Sequence, residues 1–179
     1  MKKWETIGSE EVYNCKYFKI LEEDFFMPSG KKHKYHLFRT TDYVIVIAKE
    51  GNYFYLIEQY RYTTKSKLLQ VVAGAIEEGQ APLATAKREL KEEAGITAKK
   101  FKKLGWFYSF YGSSDQKAYV YLAEDLEIGK QMPDDFEKEC GIIRKKLKIS
   151  EVKKLISSGK IKDHDTLAAF CLFMLKRKL

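Results

Sequence analysis

Cysteine is scarce. The 179 residues hold three, Cys15, Cys140 and Cys171, an odd number with no close spacing. That argues against a disulfide framework and against a zinc site built from paired cysteines, and it suits a reducing cytosol. Long apolar runs are missing too. No stretch approaches the roughly 20 residues that a membrane-spanning helix needs. The opening Met-Lys-Lys-Trp-Glu-Thr lacks the apolar core of a secretory signal, so the expected location is the cytoplasm. No internal repeat or low-complexity tract is present, which removes solenoids and tail-like segments from consideration.

What is abundant is apolar and basic. Apolar residues make up 45% and aromatic residues 14% of the chain, enough for a packed domain and not for a disordered one. Lysine and arginine exceed aspartate and glutamate by 33 to 25, a formal net charge of +8. Such a field can attract nucleic acid, anionic lipid or phosphorylated small molecules. The lysines are scattered or fall near the C-terminus (Lys145, Lys146, Lys176, Lys178). No basic stripe interleaved with aromatics appears, so nucleic acid is a weak reading, no membrane partner is expected, and general solubility accounts for most of the charge.

One stretch dominates, Gly74 to Ile96. A glycine-punctuated loop leads to Pro82, twelve residues follow without glycine or proline, and Gly95 closes the run. Proline in the first turn and glycine just past the last predict a helix over about 81–94. At about 100° per residue, Leu83, Ala86, Leu90 and Ala94 share one arc of roughly 80°, a predicted buried stripe. Glu89, Glu92 and Glu93 share a second arc of about 100°, a quarter-turn away. Such a triplet reads either as a solvated acidic face, eased by Lys87, Arg88 and Lys91, or as a site for a hard cation, Mg²⁺ or Mn²⁺.

The spacing separates the two. Written out, it is Gly-x5-Gln-x7-Arg-Glu-Leu-x-Glu-Glu-x-Gly-Ile. It resembles the Nudix box, Gly-x5-Glu-x7-Arg-Glu-U-x-Glu-Glu-x-Gly-U with U apolar, at every fixed position but one: Gln80 stands where the family has glutamate. Around the box, Glu58-Gln59-Tyr60-Arg61, Leu68 to Gly74 and Gly112-Ser113-Ser114-Asp115 are similar to the branch that hydrolyses ADP-ribose and other nucleoside diphosphate sugars. The resemblance covers about 43–123 well and the two ends in general layout.

It implies an α+β Nudix fold, an α/β/α sandwich around a mixed sheet. Residues 1–40 would be a β appendage through which a homodimer forms, and 41–179 the Nudix domain. Glu89, Glu92, Glu93 and the Ala73 carbonyl would hold Mg²⁺, with Mn²⁺ as a substitute. Arg88 would orient the carboxylates, and Arg61 and Gly74 would meet the diphosphate. Asp115 occupies the loop position where the branch usually has a glutamate acting as base or ligand. The bland alternatives are a solvated strand-end charge for Arg61 and a turn residue for Asp115. The implied reaction cleaves the diphosphate to a nucleoside monophosphate and a sugar phosphate. Because Gln80 removes a negative charge, two other readings stay open: a nucleotide-sugar sensor without catalysis, and a hydrolase of capped RNA or dinucleoside polyphosphates.

The remaining elements are read more coarsely. Strands are predicted over Tyr43–Ala48, Tyr53–Arg61, Leu68–Ala73, Phe101–Phe110, Ala118–Ala123 and Ile142–Ile149, with a hairpin about Pro28–Lys32. A short helix capped by Ser150 and a C-terminal helix over 163–178, apolar at Leu167, Phe170, Leu172 and Leu175, complete the pattern.

Overall fold

The computed structural model describes residues 3–176. They fall within two compact units, 1–42 with 108–117 and 43–107 with 118–179.

The first unit carries β1 (Glu5–Asn14), β2 (Lys19–Phe26) and β3 (Lys32–Arg39), an antiparallel three-stranded sheet in that order. The predicted hairpin forms, with Phe26 opposite Lys32. Its turn needs Gly30 in the left-handed region, φ 86°. All ten residues of β1 are exposed.

In the second unit a seven-stranded mixed sheet is built from β4 (Tyr43–Glu50), β5 (Tyr53–Arg61), β6 (Ser66–Gln70), β7 (Val72–Ala75), β8 (Ile96–Tyr108), β9 (Lys117–Ile128) and β10 (Ile143–Lys148). Its helices are α1 (Pro82–Ala94), α2 (Asp135–Glu139), α3 (Ile149–Ser157) and α4 (His164–Lys176). The main order is β10-β5-β4-β9-β8. The β4–β9 pair is parallel, while β5 and β7 run antiparallel to β4.

β4 explains the layering. Five consecutive residues, Val44 to Ala48, are no more than 1% exposed, as a β-branched run covered on both faces should be. Val44, Val46 and Ala48 pack with Ala86, Leu90 and Ala94 of α1. Ile45 and Ile47 point the other way, toward Val152 of α3 and Ala169, Phe170 and Phe173 of α4. The period of two thus sends one strand's side chains to two cores, and the α/β/α sandwich is the result.

Several sequence expectations are corrected. Leu68–Ala73 is not one strand. The ladder breaks at Val71, whose N–H is taken by the Thr166 hydroxyl of α4 (3.0 Å), so β6 pairs with β5 and β7 with β4. Leu83 is 39% exposed and does not belong to the buried stripe. The buried residues of α1 are Thr85, Ala86, Glu89, Leu90, Glu93 and Ala94, an arc turned by roughly 50° from the predicted one toward the glutamates. α3 begins at Ile149, and Glu151 accepts from the Lys148 N–H (2.6 Å), so Ser150 lies inside the helix and is not its cap. In α4 the buried positions are Thr166, Ala169, Phe170 and Phe173, with Leu167 and Leu175 exposed; Lys178 lies outside the described residues. The polar segment before β10 contains α2, closed by a reciprocal pair between Asp134 and Glu137.

Candidate active site

Two of the three box glutamates are not solvated. Glu93 is 4% and Glu89 8% exposed, while the Glu92 side chain keeps 40% of its surface. The acidic-face reading therefore fails. A solvated carboxylate needs no partner, whereas a buried one is costly unless something compensates it.

The compensation comes from β7 and from Arg88. The Glu93 carboxylate accepts from the Ala73 N–H at 3.1 Å. Glu89 lies flat against Gly74: a Cβ there would stand 2.0 Å from the carboxyl carbon and 2.1 Å from Oε1. Glycine is required at 74 by space, because any side chain would displace that carboxylate. The register Val44↔Gly74 in the β4–β7 pair holds the glycine opposite a strand residue that packs on α1. Arg88 reaches Glu89 Oε1 (2.8 Å) and Glu92 Oε2 (2.9 Å) and approaches Glu77 (3.7 Å). Its Nε is buried without a hydrogen-bond partner.

One guanidinium does not neutralise this cluster. Burial pushes Glu89 up to about 7, against the pull of Arg88, and Glu92 and Glu137 add repulsion. Burial also raises Glu93 well above the usual carboxylate range, reinforced by Glu89 and Glu137 and opposed by the Ala73 N–H and by Arg61. Two buried carboxylates with basicity to spare, in an all-oxygen donor set, are what a hard divalent cation takes up. The donor chemistry suits such an ion, although the carboxylate oxygens of Glu89, Glu92 and Glu93 do not all lie within 4.8 Å of one another as they stand.

Around this centre the chain adds supports. Arg61, at the end of β5, donates from Nε to Gln70 (3.1 Å), and its terminal nitrogens make no hydrogen bond or ion pair to described residues. Gln80 is engaged at both ends of its amide: it donates to Glu77 (2.8 Å) and accepts from the buried Thr85 hydroxyl (3.1 Å). The C-terminal carbonyls of α1 are also occupied. Arg144 donates to Ala94 (2.6 Å), Gln131 to Glu93 (2.6 Å) and the Met132 N–H to Glu92 (2.9 Å). These contacts fix the axial position of the helix, and with it the glutamates.

Ala73, Gly74, Arg88, Glu89 and Glu93 thus come together, Glu92 joins them through Arg88, and the charge of Arg61 reaches Glu93. Asp115 belongs to the first unit, where its exposed carboxylate pairs with Arg39 (2.5 Å). Sequence reasoning missed Gln70, Gln131, Arg144 and Glu137. Of these only Glu137 left a local signal, the Asp-x-x-Glu spacing of its capping box.

Residues 37–167 match the NUDIX domain, and the chain belongs to that family. A Bacillus subtilis (strain 168) protein named ADP-ribose pyrophosphatase is 31% identical over 176 residues, covering 97% of this chain and 94% of the relative. The methanol dehydrogenase activator of Bacillus methanolicus is 27% identical over 175 residues, again covering 97% and 94%. A crystal structure of a protein described as an ADP compounds hydrolase superposes with a TM-score of 0.85 at 22% identity, over 97% of this chain and 93% of that one. At that identity the likeness establishes the fold.

Proposed function

We propose that the protein is a Nudix pyrophosphohydrolase that cleaves the diphosphate of ADP-ribose or a related nucleoside diphosphate sugar to a nucleoside monophosphate and a sugar phosphate. The observation that carries this is the burial of Glu89 and Glu93 against Ala73–Gly74, with Arg61 near enough for its charge to act on Glu93. The near full-length similarity to an ADP-ribose pyrophosphatase supports the substrate class.

Arg61 takes the diphosphate, for which a planar guanidinium offers two parallel donors. Arg88 keeps Glu89 and Glu92 in place. A carboxylate accepts the proton of the water that attacks one phosphorus, and the other phosphate leaves. Glu93 and Asp115 are candidates for that carboxylate. Glu137 is a further one, because its charge is felt by both Glu89 and Glu93. The Ala73 carbonyl, Glu89, Glu92 and Glu93 would hold Mg²⁺, or Mn²⁺ in its place, which when bound neutralises the diphosphate and acidifies the attacking water. The working form is a cytoplasmic homodimer that uses residues 1–40 as its contact.

A panel of nucleoside diphosphate sugars, incubated with Mg²⁺ and a coupled phosphatase, tests the reading. ADP-ribose or a close relative should release phosphate, and Glu93→Gln should slow release by about 10²–10³-fold, the scale for losing one preorganised electrostatic contact. Intact ligand after long incubation, or an undiminished Glu93→Gln, would refute it.

A further inference from the structure

A groove with an excess of positive charge runs beside the outward side of α1. Its first part encloses about 460 Å³ between Lys87, Arg88 and Lys91 of α1, Ala98 and Phe101 of β8, and Met132. A second hollow of about 380 Å³ shares Lys91 and Met132 and continues to Lys130. These volumes fall in the range of small-molecule sites.

The charges lining the groove do not cancel. Its carboxylates are already committed: Glu92 to Arg88 (2.9 Å) and Glu127 to Lys99 (3.0 Å). Lys87, Lys91 and Lys130 have no ion-pair partner among the described residues. Lys87 and Lys91, four apart on a helix, face the same way, and like charges so placed repel unless an anion lies between them. The floor is apolar. Phe101 and Ala98 pack on the core beneath α1, which fixes the ring, and Lys87 Nζ stands 5.8 Å from its centroid.

We propose that this groove binds a nucleoside monophosphate, its phosphate between Lys87 and Lys91 and its base on Phe101 and Met132. A bare inorganic ion would leave the apolar floor unused. An uncharged apolar ligand would leave the two ammonium groups uncompensated. An amphipathic anion with a flat aromatic part satisfies both, since ammonium groups attract phosphate as point charges and any base offers a face for stacking. Arg88 lines the groove and also holds Glu89 and Glu92. Occupancy is therefore linked to the carboxylate cluster, and by linkage a cation at the glutamates changes nucleotide affinity by the factor that the nucleotide changes the cation's. The inference does not rest on the hydrolytic reading.

Calorimetry on the full-length, metal-free protein decides it, with AMP and inorganic phosphate as probes. AMP should saturate, and phosphate should bind at least tenfold more weakly. Lys87→Ala with Lys91→Ala should weaken AMP at least tenfold, and arginine at both positions should restore it. Both lysines are exposed, and unchanged far-UV circular dichroism verifies folding. Arg61→Ala, which removes the proposed diphosphate contact, should leave AMP binding as it was. No saturation by AMP, phosphate binding as tightly as AMP, equal affinity in the double alanine variant, or loss of binding in Arg61→Ala would each overturn the proposal.

Discussion

At the scale of single residues the site is governed by the cost of burying charge. Glu89 is held by burial at a pKa of about 7, while in the unfolded chain it titrates near the ordinary value of 4.5. Between those values the native state keeps a proton that the unfolded state has released, so stability falls as pH rises through this window. For a group this buried the loss is on the order of 3 kcal/mol. Urea unfolding of the metal-free protein should therefore show a midpoint that declines from about pH 5 to pH 7, and Glu89→Gln should lessen that decline, the remainder coming from Glu93, whose pKa burial also raises. Millimolar Mg²⁺ should restore stability at the upper end, where the ionised carboxylates gain a cation. A midpoint that rises with pH over this range would contradict the assignment. Gln80 belongs to the same scale. The sequence marks it as one charge too few for the family pattern, and the structure gives its amide a job that carboxylate cannot do, donating to Glu77. A glutamate there would set two acids side by side.

Elements position these residues, and the tightest constraint is the end of α1. Gly95 has φ 63°, and a Cβ on it would meet the backbone of Gln131 and Lys130 at 2.5–2.7 Å. Gly79 also has positive φ, 78°, but open space around it. Gly79→Ala should therefore cost about 1 kcal/mol, the left-handed penalty alone. Gly95→Ala should cost about 3 kcal/mol or more, because backbone must move as well. Chemical denaturation of the two variants checks this, and equal losses would show that the segment after β9 does not press on the helix end. The contrast also shows what the sequence could reveal. Proline and glycine marked both ends of α1, and the run Val44–Ala48 announced a strand buried on two faces, because both signals are local. The rotation of α1 toward its glutamates was not legible, since it follows from Gly74 lying across from them in β7. Nor was the break at Val71, which depends on a hydroxyl 95 residues away. The clasp of Gln131 and Arg144 on the last carbonyls of α1 is likewise long-range, and no pattern of hydrophobicity encodes it.

At the scale of the molecule, the first unit's sheet is the part that does not close on itself. It has three strands, and β1 at its edge is exposed along its whole length. Trp4 (67%), Ile7 (44%), Val12 (49%) and Tyr13 (52%) leave large apolar surface in water. A long edge strand with such residues is a template for another chain. The sheet's own devices are modest. Its ion pairs, such as Lys19–Glu11 (2.8 Å) and Lys32–Asp24 (2.9 Å), are solvent-exposed, and exposed pairs contribute little. Glu10 lies opposite Glu22, a like-charge pair that weakens the β1–β2 ladder. Two aromatic clusters, Trp4–Phe25–Tyr35 and Tyr13–Phe18–Phe38, add packing to the sheet. A second copy of the chain is the occupant that covers this surface in the homodimer proposed above. Light scattering at micromolar concentration should give a mass of about twice the 20.9 kDa of one chain. Ile7→Asp with Val12→Asp, which buries charge at the contact, should shift the population to monomer and lower the unfolding midpoint, because a strand without its cover is marginal. A monomeric wild type at that concentration, or a double variant that stays dimeric, would rule out the N-terminal strands as the interface.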